Sequence, residues 1–335
     1  MSATNGAGPE RITSYHGQPI LKEPIWTWEI PLYFYTGGLA GASAGLAYLA
    51  ELRGNETLGR RAWAAAMAGI TLSPALLTSD LGKPLRFINM LRMFKVTSPM
   101  SVGSWVLTVS GATTTVATAN AWLGVFPRLS RPARALAALF GLPLSTYTAA
   151  LVANTAIPVW HEARRDLPFV FGSGAALSAG AAALALTPLR HAAPARRLAT
   201  AGAVLESATN ELMHRRLGEH GEVYAEGQAG LSTNLARGCI AAGALLTASR
   251  ARSSRAAAVA AGVLLSLGAV SARWSVFRAG FQSAADPKYV VGPQRAAVGR
   301  GRRKGASRRE PRVARSERRL GSPATAPEPA PLTGD

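Results

Sequence analysis

The sequence predicts an all-α integral membrane protein, a bundle of eight transmembrane helices, and three observations carry that prediction. Of 335 residues, 48% are hydrophobic and only 16% charged, too apolar and too charge-poor for an ordinary soluble domain of this length. The mean hydropathy of +0.12 blends an apolar body with a polar tail, since 292–335 alone holds 11 Lys/Arg and 4 Asp/Glu. The basic residues behind the net charge of +19 sit mostly in that tail and in short gaps between apolar runs, the pattern of membrane flanks and not of a nucleic-acid surface.

A hydrocarbon core of roughly 30 Å is crossed by about 20 helical residues. Eight runs of about that length, bounded by charge, cover 30–50, 62–79, 101–125, 134–156, 168–188, 194–214, 233–249 and 256–274, the seventh being the shortest. Lipid offers backbone groups no water partners, so the spans are expected to be helical. Segment 1–25 has no apolar stretch of signal-peptide type, and the first run is expected to remain as an anchor. That run carries Gly37, Gly38, Gly41 and Gly45, which let helix backbones approach closely. Pro74 and Pro143 each remove a donor inside a run and are expected to kink it. The chain therefore divides into an N-terminal segment 1–25, a membrane domain 26–291 and a basic, then Pro/Ala/Glu-rich tail 292–335 that is expected to be disordered. An even number of spans puts both termini on one side. The loop arginines nearly balance, and the basic tail places that side in the cytoplasm of a cell-membrane protein.

Composition removes several chemistries. A single cysteine, Cys239, excludes an internal disulfide, a cysteine zinc site and an iron–sulfur cluster held by this chain. None of the five histidines lies centrally in a run, which disfavours a bis-His haem, and no metal site is expected.

The unusual polar residues gather on the side of the termini. Trp26, Trp28 and Glu29 open the first run, Asp80 closes the second, Ser98 and Ser101 open the third, Asn154 and Trp160 close the fourth, and Asp166 precedes the fifth. Glu211 and His214 close the sixth, Arg237 sits early in the seventh, and Arg273 and Trp274 close the eighth. The opposite loops are short, hold no Trp and carry only Glu51 and Glu56 as acids, so a ligand or partner is expected on the terminal side.

Glu206 is the deepest ionisable residue, and it shares a helical face with Asn210 and His214. Arg237 is placed to neutralise Glu206 or Glu211. Glu206 then reads either as half of an ion pair locking the sixth and seventh helices or as a proton-handling group. Asp80 in Ser-Asp-Leu-Gly-Lys-Pro reads on spacing alone as a helix stop with a salt bridge to Lys83 or Arg86. Segment 83–95 interleaves apolar and basic residues as an interfacial amphipathic helix or a surface linker. Tyr147 reads as a core tyrosine bonded to a neighbouring helix, or as a donor to the carbonyl of an apolar ring ligand. Trp26, Trp28, Trp160 and Trp274 read as interfacial belt anchors.

Several segments, in order, resemble the NrfD / polysulfide reductase membrane-subunit family. They are Trp26-Thr-Trp-Glu-Ile-Pro with Gly37-Gly-Leu-Ala-Gly, Asp80-Leu-Gly-Lys-Pro-Leu-Arg-Phe-Ile-Asn-Met-Leu, and Ser98-Pro-Met-Ser-Val-Gly-Ser-Trp. The similarity runs on through Tyr147, Ile157-Pro-Val-Trp, Leu167-Pro-Phe-Val-Phe-Gly-Ser-Gly, and Arg273-Trp-Ser-Val-Phe-Arg-Ala-Gly to Asp286-Pro-Lys-Tyr, covering roughly 15–295. The resemblance implies an eight-helix, haem-free, quinone-reactive subunit that docks a ferredoxin-like iron–sulfur subunit, itself joined to a molybdopterin catalytic subunit. It implies menaquinone or another quinone near the ends of helices 1, 2 and 4. Tyr147 would be a hydrogen-bond partner of the headgroup, Asp80 a proton-linked group and Glu29 a third candidate. Where some members carry His or Asn early in helix 1, this chain reads Pro31-Leu-Tyr-Phe-Tyr, so Tyr33 or Tyr35 stands as the substitute. Electrons would pass between quinone and the docked cluster while Asp80 and Glu206 exchange protons. Two other classes fit the residues alone. A small-solute or ion transporter also uses intramembrane charge and broken helices, and a passive membrane anchor would keep the bundle without the quinone site.

Overall fold

The computed structural model describes residues 21–80 and 89–291, and all secondary structure among them is helical. Eight long helices lie at the eight expected positions: α1 (Glu29–Leu52), α2 (Glu56–Asp80), α3 (Pro99–Leu123), α4 (Pro127–Ala153), α5 (Leu167–Leu186), α6 (Ala193–Leu217), α7 (Gly227–Ser249) and α8 (Arg255–Ala285). A single turn, Pro158–Glu162, and short 3-10 pieces fill the connections. Four of the eight, α2, α4, α5 and α8, are long and apolar enough to cross a membrane by length and composition. The others are diluted by Gly, Ser and Thr, as in α1 and α3, or by charge, as in α6. Freedom from charge therefore marked out eight runs where hydropathy marks four spans.

Helix ends follow local chemistry. Ser98 caps α3 by accepting the Ser101 N–H, Pro99 starts the helix, and Gly124 closes it in the left-handed conformation. Ser254 caps α8 through the Ala257 N–H. The eighth run was expected to end at Arg273 and Trp274, yet α8 continues for 11 further residues, because Arg273 lies buried at 3% exposure and is not a flanking charge. The seventh run, the shortest, lengthens to 23 residues as Gly227–Ser249.

Helices α1 to α4 pack in sequence as one group, and α5 to α8 as another. α1, α5 and α8 join the two. Antiparallel order is fixed at one end of the first group, where Trp122 Nε1 donates to the Arg60 carbonyl and the Thr118 hydroxyl to the Trp63 carbonyl. At the same end Glu51 accepts from Trp63 Nε1 at 2.9 Å and pairs with Arg134 at 3.3 Å, tying α1, α2 and α4. Arg255 donates to the free carbonyls of Leu184, Ala185 and Thr187 at the end of α5. Among the described residues, Arg134 and Arg255 are the loop arginines of this end with a side-chain hydrogen bond or ion pair.

α1 and α4 meet backbone to backbone at Gly41 and Gly141. A Cβ on Gly41 would lie 2.2 Å from the Gly141 carbonyl oxygen, and one on Gly141 would lie 2.4 Å from that of Gly41. Gly41→Val is expected to lower stability by about 1–3 kcal/mol or more. Thermal unfolding in detergent checks this; an unchanged midpoint would show that the crossing relaxes freely.

Candidate functional site

The opposite end collects the starts of α1, α3, α5 and α7 and the ends of α2, α4, α6 and α8. Of the predicted site residues, four come together here. Asp80, at the last position of α2, accepts the Thr27 N–H at 3.3 Å and the Thr27 hydroxyl at 3.0 Å. The same hydroxyl contacts the Glu29 carboxylate, so Thr27 stands between the two acids. The expected partners Lys83 and Arg86 lie outside the described residues, as does the part 83–88 of the expected amphipathic helix 83–95; of the rest, only Asn89 and Met90 are helical.

Asp80 also borders a cavity of about 40 Å³ shared with Trp26, Ile30, Leu77, Met90, Met100, Ser104 and Leu151. Tyr33 and Tyr147 lie one helical turn deeper than Ile30 and Leu151 on the same two helices. Their rings meet edge to face at 6.4 Å. Tyr33 is fully buried, and its hydroxyl has no hydrogen-bond partner among the described residues. A buried hydroxyl without a partner is costly, and in a ligand-binding protein it marks a place for one. The Tyr147 hydroxyl likewise makes no hydrogen bond among the described residues. Its ring lies over Gly103 of α3, where a Cβ would come within 2.1 Å of the ring edge.

Tyr35 does not join this group. Two positions from Tyr33 on a helix, it turns to the other side and packs against the core of the second group.

Glu206 also stands apart, in the middle of α6. It is fully buried, accepts from the Ser173 hydroxyl at 2.8 Å, and pairs with Arg273 Nη1 at 3.5 Å. Of the two partners expected for Arg237, Glu206 and Glu211, it reaches Glu211 at 3.2 Å, with the His214 Nδ1 at 3.5 Å, because α7 presents it at the exposed end of α6. Arg273 donates from Nη2 to the Val170 and Phe171 carbonyls at 3.1 Å each and stacks over the Phe171 ring at 4.4 Å. The buried pair thus locks α6 to α8 across α5, where the sequence suggested α6 to α7. Glycine at 174 is required for this, since a Cβ there would lie 1.9 Å from Arg273 Nη2. Beside the pair, a cavity of about 620 Å³ between α6 and α7 is lined by Glu206, Asn210, Glu211, His214 and Arg237 among others.

The tryptophans divide. Trp28 is exposed, as a belt residue is. Trp160 is fully buried, donates to the Val276 carbonyl at 2.7 Å and stacks on Trp26 at 5.5 Å, so it is a core residue that pins the chain leading into α1.

Sequence reasoning missed Thr27, Gly103, Ser173 and the role of Arg273. Thr27 and Gly103 lie inside quoted motifs, but only spatial contact shows what each touches. For Arg273, a late position in an apolar run looked like a flank.

A family model described as polysulfide reductase matches residues 12–285. No curated protein matches the chain.

Proposed function

The chain belongs to the NrfD / polysulfide reductase family of membrane subunits, and from that premise we propose that it exchanges electrons between the membrane quinone pool and a docked iron–sulfur subunit joined to a molybdopterin catalytic subunit. The family supports a membrane subunit of an oxidoreductase complex. The observation that favours a quinone site in this chain is the buried Tyr33 hydroxyl, without a partner among the described residues, beside Tyr147 and one turn below the Asp80 and Glu29 carboxylates. In this reading all eight long helices cross the cell membrane, with the termini in the cytoplasm.

The Tyr33 hydroxyl, without a partner among the described residues, and the Tyr147 hydroxyl beside it are suited to donate to the carbonyl oxygens of a ring. Quinol oxidation releases two electrons and two protons, so the site also needs groups that take protons toward water. Asp80 and Glu29, joined through Thr27, supply them at the aqueous end. The cavity at Asp80 is water-sized, and a ring enters when Met90 and Met100, unbranched and adaptable, give way. Glu206 is a weaker proton carrier in this scheme than its depth suggested, because its carboxylate is already held by Ser173 and Arg273.

Affinity purification in mild detergent, with mass spectrometry of proteins and extracted quinones, is expected to recover an iron–sulfur subunit and menaquinone or a related quinone. Recovery of neither, with the partners expressed, would overturn the reading. Within the intact complex, Asp80→Asn is expected to lower quinone-linked turnover by about 100-fold while assembly persists. Unchanged turnover would remove Asp80 from the proton path.

A further inference from the structure

Toward the plain end, a crevice of about 920 Å³ opens between α1, α4, α5 and α6, reaching inward to Ser145 and Thr146 of α4. Its inner part is mostly apolar and starved of side chains, with Gly41 and Gly45 of α1 and Ala175 and Ala176 of α5 among its lining. Gly41 has a packing reason to be glycine. Gly45 has none: a Cβ there would meet nothing within 4 Å. A glycine inside a helix is unfavourable relative to alanine, so an open glycine on a groove floor is accounted for by what fills the groove.

The outer end carries charge of one sign. Arg53, just past α1, and Arg197, in the first turns of α6, both line the mouth, and neither makes an ion pair or side-chain hydrogen bond among the described residues. No carboxylate lines the crevice. The nearest in sequence, Glu51, is turned away to Arg134 and Trp63. Asn55 at the rim is spent on the His191 carbonyl and the Leu58 N–H. An apolar slot of this depth ending in two unpaired guanidiniums matches an acyl chain with an anionic phosphate head, since guanidinium groups bind phosphate oxygens through paired N–H donors.

We propose that this crevice binds one anionic glycerophospholipid, with an acyl chain along the Gly41 to Gly45 floor and its phosphate held by Arg53 and Arg197. A lipid seated there fills the seam between the two helix groups, which meet along α1 and α5. The site is independent of any quinone chemistry at the other end.

The test uses the full chain, in its complex where one forms, reconstituted in nanodiscs of equal parts phosphatidylglycerol and phosphatidylethanolamine. The protein is then extracted in mild detergent, and retained lipid is counted by mass spectrometry. The wild type is expected to keep one phosphatidylglycerol per chain. Each arginine near a membrane surface contributes about fivefold to anionic lipid binding, so the Arg53→Gln, Arg197→Gln double variant is expected to lose about 25-fold in retention. Gly45→Leu is expected to lose retention by filling the floor, with its unfolding temperature unchanged. Arg128→Gln with Arg131→Gln, exposed at the same end but outside the crevice, is expected to behave as wild type. Equal retention of the zwitterionic lipid, retention unaffected in the Arg53, Arg197 double variant, or an equal loss in the Arg128, Arg131 control would each overturn the proposal.

Discussion

Arg273→Met is expected to lower stability by about 3–5 kcal/mol, because it leaves the Glu206 carboxylate fully buried with only the Ser173 hydroxyl to compensate it. Adding Glu206→Leu to the same chain is expected to restore most of that loss. Removing both charges removes both desolvation penalties, whereas removing one strands the other. Gly174→Ala should resemble the single variant with every charge still present, since its methyl group would occupy the place of Arg273 Nη2. Thermal unfolding of the four proteins in one detergent decides the matter. If Arg273→Met unfolds at the wild-type temperature, the pair has no structural role. Glu206 would then return as a candidate carrier of protons, tested by Glu206→Gln in quinone-linked turnover.

Gly103→Ala is expected to cut quinone-linked turnover by about 100-fold in an intact complex, more than the loss expected from deleting the tyrosine hydroxyl itself. The added methyl would sit 2.1 Å from the Tyr147 ring and must push it aside. Displacement of a positioning group by about 1 Å is enough for a loss of that order. Tyr147→Phe keeps the ring in place and removes one hydrogen bond, so about a tenfold loss is expected. The comparison is made by assaying reduced-quinone oxidation in membranes with matched amounts of assembled complex. Equal, full activity in both variants would dissociate Tyr147 from the headgroup.

The positions of all eight helices were legible because charge bounds each run, and a helix of apolar and small residues needs little else to declare itself. Their apolarity was less legible, since Ala, Gly, Ser and Thr carry α1 and α3 where Leu and Ile would raise the hydropathy. In the candidate site, Asp80, Glu29, Tyr33 and Tyr147 were visible as residues of the right chemistry at the right helix ends. The choice between Tyr33 and Tyr35 was not. It rests on which of two residues 200° apart on α1 faces α4, and neighbouring helices decide that. The partner of Glu206 failed for a related reason: the sequence offered the nearest arginine on the next helix, while the fold brings one from 67 residues away through a gap that only Gly174 leaves open. Trp160 looked like a membrane-surface residue because its indole N–H needs a partner, and the Val276 carbonyl that serves it lies 116 residues on.

Thr27 has one hydroxyl hydrogen and two carboxylates within its reach. Asp80 also takes the Thr27 N–H at 3.3 Å, so the segment entering α1 is tied to the end of α2 by its backbone as well as by its side chain. Trp26, one residue earlier, lies against Trp160 and borders the Asp80 cavity. The rim of the Asp80 cavity is thus held from two sides at adjacent residues, by α2 at Thr27 and by the buried Trp160 at Trp26, and it cannot shift without breaking one of the two.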